Sequence, residues 1–186
     1  MPTGAKYETY TYCVDGADSI IFVNDAWCAF AIANDAPELT TEAVLHRCLW
    51  DFIADPETSH LYRAIFARAR RSGNAVTIPF RCDAPALRRY MQLDIQPVDG
   101  GGERLQLTGR VLRQEPRAPV ALLERAAQRS AELLRMCSWC KRIAVDTGQW
   151  LEAEEAIARL GLFDTPTLPG LTHTICDSCL AGLSTE

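Results

Sequence analysis

Long apolar runs, clustered positive charge and histidine are all scarce in this chain, and each shortage narrows what it can do. No stretch of the 186 residues approaches the 18 or more consecutive apolar positions of a helical membrane span. The opening "MPTGAKYETYTYCVDG" has no basic region followed by an apolar run, so a soluble, cytoplasmic protein is expected. Nineteen Lys and Arg against 24 Asp and Glu leave a net charge of −5, and the arginines are scattered. A nucleic-acid partner is therefore not expected, because displacing phosphate counterions takes clustered cations. Lys141 stands where a CxxCH haem-attachment run would need histidine. There is no Ser-His-Asp arrangement, phosphate-cradling glycine loop or paired-carboxylate motif, and no internal repeat or low-complexity tract.

What the chain does have is enough apolar material for a core, at 48% hydrophobic residues, and eight cysteines. "YTYCVDG" is a weak opening strand, and "SIIFVNDAW" reads as a buried strand entering a turn at Asn24 and Asp25. "AWCAFAIANDAPEL" follows as a short helix stopped by Pro37. A longer helix begins at Asp55 as N-cap with Pro56 in the first position, repeats Leu61, Ile65 and Ala69 at helical spacing, and ends at Gly73. Three strands are expected next. Val76, Ile78, Phe80 and Cys82 alternate in the first, Met91, Leu93 and Ile95 in the second, and Leu105, Leu107 and Val111 in the third, with "DGGGE" as the intervening turn. Beyond the proline-marked "QEPRAP", the segment "PVALLERAAQRSAELLRM" reads as a helix with Pro119 near its start and a partial heptad through Leu123 and Leu134.

This order of elements resembles a PAS domain, a sensor module common in bacterial signalling proteins. The resemblance rests on "IIFVNDAWCAFA", "LWDFIADPETSHLYRAIFARARRSG" and "FRCDAPALRRYMQLDIQPV". It implies an α+β fold, a PAS-like antiparallel sheet with flanking helices, over residues 8–114. A connector helix over 115–136 and a small zinc-ribbon-like module over 137–186 are expected to follow. The resemblance also implies a ligand cavity between the sheet and the longer helix, with Tyr62, Ile65, Phe66, Phe80, Met91 and Leu93 as candidate lining residues. The Asn-Cys-Arg-Phe motif of flavin-binding light sensors is absent. "CSWCKRIAVDTGQWLEAEEAIARLG" with "LTHTICDSC" resembles a cysteine-rich segment attached to PAS or response-regulator domains in bacteria; Thr172 and Thr174 replace the serine and glycine of that ending.

The cysteines divide into two groups. Cys137 and Cys140, then Cys176 and Cys179, form two CxxC pairs, and four thiolates in this pattern can build a closed tetrahedral site for zinc. The intervening "WLEAEEAIARLG" is expected to be a helix that covers the site with Trp150, Ala153, Ile157 and Leu160. So small a segment lacks a comfortable core, and a metal cross-link is the usual remedy. Iron shares this ligand set; a redox dithiol at Cys137 and Cys140 needs no second pair, and two disulfides need an oxidising compartment. Cys13, Cys28, Cys48 and Cys82 are widely separated and read as small buried hydrophobes. His46 and His60 read as ordinary surface or core residues, and His173, beside the second pair, as a packing or supporting residue.

The expected function is a non-enzymatic bacterial signalling sensor or adaptor. Its PAS region would bind a small ligand or a signalling partner and would be coupled to a structural zinc module. The chain is expected to be a homodimer through PAS surfaces and the helix from Pro119 to Arg135. Two other readings stay open: a redox-responsive zinc-thiolate switch, and a thiol oxidoreductase using Cys137 and Cys140.

Overall fold

The structure is a computed structural model that describes residues 9–53, 55–98, 102–162, 165 and 167–184. The chain divides into two compact units, Met1–Pro79 with Tyr90–Arg113, and Phe80–Arg89 with Gln114–Glu186. Strands lying wholly or mainly in the first form an antiparallel sheet: β1 (Tyr10–Val14), β2 (Ile20–Val23), β3 (Val76–Arg81), β4 (Leu87–Pro97) and β5 (Leu105–Pro116), in the order β2-β1-β5-β4-β3. The helices α1 (Asp25–Ile32), α2 (Thr41–Val44) and α3 (Pro56–Ser72), with a 3-10 turn at Leu49–Phe52, lie between β2 and β3 in the chain. This is the expected α+β arrangement of an antiparallel sheet with flanking helices.

Local chemistry explains these elements. Asn24 accepts the Trp27 amide at 2.9 Å to cap α1 and the Thr11 amide at 3.0 Å, so one side chain ties the helix start to β1. Asp55 accepts the Thr58 amide at 2.8 Å, Pro56 opens α3, and Gly73 closes it at φ +68°, a left-handed conformation that costs glycine nothing. In β4 the period of two is complete: Met91, Leu93 and Ile95 are buried, while Gln92 and Asp94 are half-buried and Gln96 is exposed. Leu105, Leu107 and Val111 repeat the pattern in β5.

The second unit has its own four-stranded sheet. Its strands are β6 (Arg129–Cys137), β7 (Ile143–Asp146), β8 (Gln149–Leu151) and β9 (Leu168–Thr174), in the order β8-β7-β6-β9. β6 runs antiparallel to β7 and parallel to β9. α4 (Ala153–Arg159) packs with this sheet, and α5 (Asp177–Ser184) follows β9. An apolar cluster of Val120, Leu122, Met136, Ile143, Ala153, Ala156 and Ile157 forms the core.

Three expectations are corrected here. The helix from Pro119 to Arg135 does not form: the segment makes a 3-10 turn at Ala121–Leu123 and then strand β6. Its Ala, Leu, Glu and Arg favour a helix, but intrinsic propensity is worth only tenths of a kcal/mol per residue and yields to two flanking strands that pair with the β6 backbone. The heptad expected to form a dimer seam is therefore absent. The covering helix is shorter than expected, because Trp150 belongs to β8, and its buried residues are Ala153, Ala156 and Ile157. Finally, the C-terminal unit is not a simple ribbon short of a core, since Val120 and Leu122, upstream of the cysteines, supply part of its interior. No described helix is long and apolar enough to cross a membrane.

Candidate metal centre

The two CxxC pairs meet where parallel neighbours end. Cys137 is the last residue of β6 and pairs in register with Thr174, the last residue of β9. Cys140 follows in the turn toward β7, while Cys176 immediately precedes α5 and Cys179 sits in its first turn. One pair therefore lies in a β-turn and the other opens a helix. Ser138 donates its amide to the Thr174 carbonyl at 2.8 Å, and Lys141 donates its own to the Cys137 carbonyl at 3.0 Å. Lys141 adopts φ +61°, which is uncommon outside glycine and bends the chain sharply after Cys140.

All four sulfur atoms lie within 4.8 Å of one another. Cys140 Sγ and Cys176 Sγ are 3.8 Å apart. A tetrahedral zinc site with bonds of about 2.3 Å has sulfur–sulfur edges of about 3.8 Å, so the sulfur spacing suits that ion. The same separation is far beyond a disulfide bond of about 2.05 Å, and all eight cysteines are free thiols. Cys137 and Cys176 are buried, and Cys140 and Cys179 are half-buried.

Electrostatics within the cluster favour a dication. Hydrogen bonds from the Cys140 thiol and from the backbone amides of Cys140, Cys176 and Trp139 outweigh burial and lower Cys137 to about 4. The Cys176 amide reaches Cys137 Sγ at 3.4 Å. Cys140 moves the opposite way, above the usual thiol range, because it shares its proton with Cys137 and is itself buried. Burial and the Cys137 charge push Cys179 up to about 12. One thiolate is thus easy to form, and the next are resisted by the shared proton, by burial and by like charge, a penalty that a bound divalent cation offsets. Zinc fits this all-sulfur donor set, which would hold it through Cys137, Cys140, Cys176 and Cys179.

Around the cysteines lies a set of ion pairs that sequence reasoning missed. Arg81, 7% exposed, donates from Nη1 to both Glu152 oxygens at 2.7 and 3.0 Å and pairs with Asp83, while its backbone amide donates to the Trp139 carbonyl at 2.7 Å. Arg142 reaches Glu152 at 3.2 Å, and Arg117 contacts Glu154 at 3.1 Å and Asp83 at 3.3 Å. Burial works against ionising Glu152, but the hydrogen bond and charge of Arg81, with Arg142 and Arg88, hold it below the usual carboxylate range. Glu154 is lowered in the same direction, its own backbone amide, Arg117 and Arg88 outweighing burial. The alternation of β3 carries no hint of this, because Arg81 falls opposite the apolar positions and reads as a solvent-facing residue.

The candidate ligand-lining residues divide between the units. Ile65 and Phe66 on α3 and Met91 and Leu93 on β4 are buried, and half-buried Tyr62 meets Phe66 edge to face at 6.4 Å; all five belong to the first unit. Phe80 belongs to the second. Tyr12 was not anticipated. It lies opposite Val23 and Leu107, both buried, so it faces inward, and burial together with the Tyr62 phenol raises it above the usual phenolic range. Its signal in the sequence is the Tyr10, Tyr12, Val14 alternation. His173 lies beside Met136 in the β6–β9 pairing.

No family model matches the chain, and no curated protein does. Solved structures do. The chain resembles PAS sensor domains. A sensory box sensor histidine kinase from Vibrio cholerae is 12% identical, with a TM-score of 0.43 over 56% of this chain and 82% of its own. The photoactive yellow protein domain of the sensor histidine kinase Ppr from Rhodospirillum centenum is 18% identical, with a TM-score of 0.43 over 55% of this chain and 90% of its own. The PAS domain of the quorum-sensing receptor RpfR from Cronobacter turicensis, solved in complex with BDSF, is 14% identical, with a TM-score of 0.41 over 61% of this chain and all of its own.

Proposed function

We propose that this chain is a non-enzymatic signalling sensor or adaptor, in which a PAS-like unit is joined to a module cross-linked by structural zinc. The carrying observation is the cluster of four cysteine sulfurs within 4.8 Å, drawn from two CxxC pairs 35 residues apart and attached to a chain with a five-stranded sheet of its own. An all-thiolate zinc site leaves no coordination position for substrate or water, so its role is to hold the fold. The residues proposed to line the interior where a small apolar ligand would bind are Tyr62, Ile65, Phe66, Phe80, Met91 and Leu93, with Tyr12 added. The response would be a population shift, in which a ligand stabilises one packing of the sheet against α3 over another. A homodimer would form through the sheet of the first unit, and light scattering tests it: a monomeric mass at micromolar concentration removes that part.

Metal analysis combined with an absorption spectrum of the purified chain tests the whole reading. One zinc per chain and no visible colour are expected. Iron or a chromophore in stoichiometric amount would replace the cofactor assignment, and a metal-free chain that reduces disulfides would replace the adaptor with an oxidoreductase. A second reading, a redox-responsive zinc-thiolate switch, is favoured by the half-buried state of Cys140 and Cys179, which leaves oxidisable sulfur within reach of solvent. Zinc released by peroxide and recovered after reduction would select it.

A further inference from the structure

The cysteine turn and the end of the β3–β4 hairpin are fastened to each other within the second unit. The Arg81 amide donates to the carbonyl of Trp139, one of the two residues between Cys137 and Cys140 and itself 5% exposed. The Arg81 side chain forks through Nε and Nη2 onto Asp83 and reaches both oxygens of Glu152 with Nη1, and Glu152 also receives Arg142 two residues beyond Cys140. Glu152 stands directly before α4, and Asp83, on the hairpin, accepts both Arg81 and Arg117. The guanidinium therefore has a partner on its own hairpin and another on the segment leading into α4, while its amide holds the metal turn. The hairpin also closes on itself, through Cys82 to the Arg89 carbonyl at 3.1 Å and Ala84 to the Leu87 carbonyl at 2.9 Å. β3 and β4 run on from this hairpin into residues assigned to the first unit, Val76–Pro79 and Tyr90–Pro97.

We propose that Arg81 is a positioning residue that couples metal occupancy of the four-cysteine centre to the order of the β3–β4 hairpin. A filled centre fixes the 138–140 turn, the Trp139 carbonyl then holds the Arg81 amide, and the guanidinium bridge from Asp83 to Glu152 keeps that arrangement rigid. An empty centre frees the turn, and the hairpin loses one of its anchors. Because energetic coupling is reciprocal, any event that rearranges β3 and β4 changes metal affinity by the factor with which metal stabilises the hairpin. The centre then reads the hairpin as well as bracing its own strands. Arginine suits the position because its planar fork engages Asp83 with two nitrogens while the third reaches Glu152, which lysine cannot reproduce.

The inference rests on the zinc reading and is tested on the full chain with zinc as the probe. Hydrogen exchange of amides 80–89 is compared with zinc bound and after chelation, and zinc affinity is measured against a chromophoric chelator. Zinc removal should speed exchange at the Arg81 and Cys82 amides. Arg81→Met should weaken zinc about 10-fold or more, as loss of a supporting residue commonly does, and Arg81→Lys should restore only part of it. Glu152→Gln, which keeps the shape and loses the charge, should weaken zinc in the same direction and serves if Arg81→Met fails to fold. Exchange at 80–89 that ignores zinc, or affinity unchanged in these variants, overturns the coupling and leaves the zinc module standing. A wild-type chain that binds no zinc sinks both.

Discussion

In the first unit Ile78, Leu93, Ile95, Leu105 and Leu107 are each 5% exposed or less, and the interior is apolar from strand to strand. The second unit has a seven-residue apolar cluster and, beside it, buries Arg81, Asp83 and Arg117 together with two of four clustered thiols. The two solutions differ in kind. Apolar burial is non-directional and grows with area, so the larger unit can rely on it. Buried ion pairs are directional: they contribute little net stability when intact, cost several kcal/mol when one partner is lost, and hold particular residues in place. The smaller unit is thus specified by a few contacts whose removal should be felt sharply.

The largest expected effect separates the units most clearly. Cys176→Ser should abolish zinc binding, an interaction on the order of 10 kcal/mol in comparable small modules, and loosen the second unit while the first stays folded. Zinc quantification with limited proteolysis checks this, and Cys48→Ser, in the first unit, should retain full zinc. Metal retained by the Cys176 variant would break the four-ligand assignment. The mirror experiment is Phe66→Ala, which removes a fully buried ring from the first unit and should cost about 3–5 kcal/mol in denaturant unfolding, with zinc content unchanged. Loss of zinc in that variant would show that the two cores are not separate.

Acid should act on the second unit. Glu152 and Glu154 are held below their ordinary values by arginines, so they bind fewer protons folded than unfolded. Their contribution is present above the ordinary Glu value of about 4.3 and is lost as pH falls through the lowered folded values. Unfolding midpoints of the wild type should drop below about pH 4, and Glu152→Gln should flatten that part of the profile. A profile identical in Glu152→Gln would remove the ion pairs from the comparison. The smallest effect is local: Asp55→Ala deletes the cap of α3 and should cost about 1 kcal/mol, read as a lower melting temperature with unaltered zinc content.

Legibility in the sequence followed the range of the interactions. α3 could be read because its cap, its Pro56 and its Gly73 act within a turn or two of backbone. β4 could be read because one face is buried and the other is not, which writes alternation into neighbouring residues. The two CxxC pairs marked a candidate ligand set through spacing, and the structure brings their four sulfurs within 4.8 Å. β6 could not be read, since the partner it pairs with along most of its length lies far away in the chain: Leu134 pairs with Leu171 and Met136 with His173. A segment rich in helix formers became a strand because satisfying its backbone between β7 and β9 outweighs a weak local preference.

The sequence by itself determined the α+β character, the strands and long helix of the first unit, and which four cysteines could share a metal, because turn chemistry, periodicity and ligand spacing are all properties of nearby residues. Only the tertiary structure decided that residues 129–137 are a strand, that the four sulfurs converge at the ends of β6 and β9, and that Arg81 is buried against Glu152 and the Trp139 carbonyl. A buried ion pair between residues 71 positions apart leaves no periodic trace. Its partners are chosen by geometry that exists only once the chain has folded.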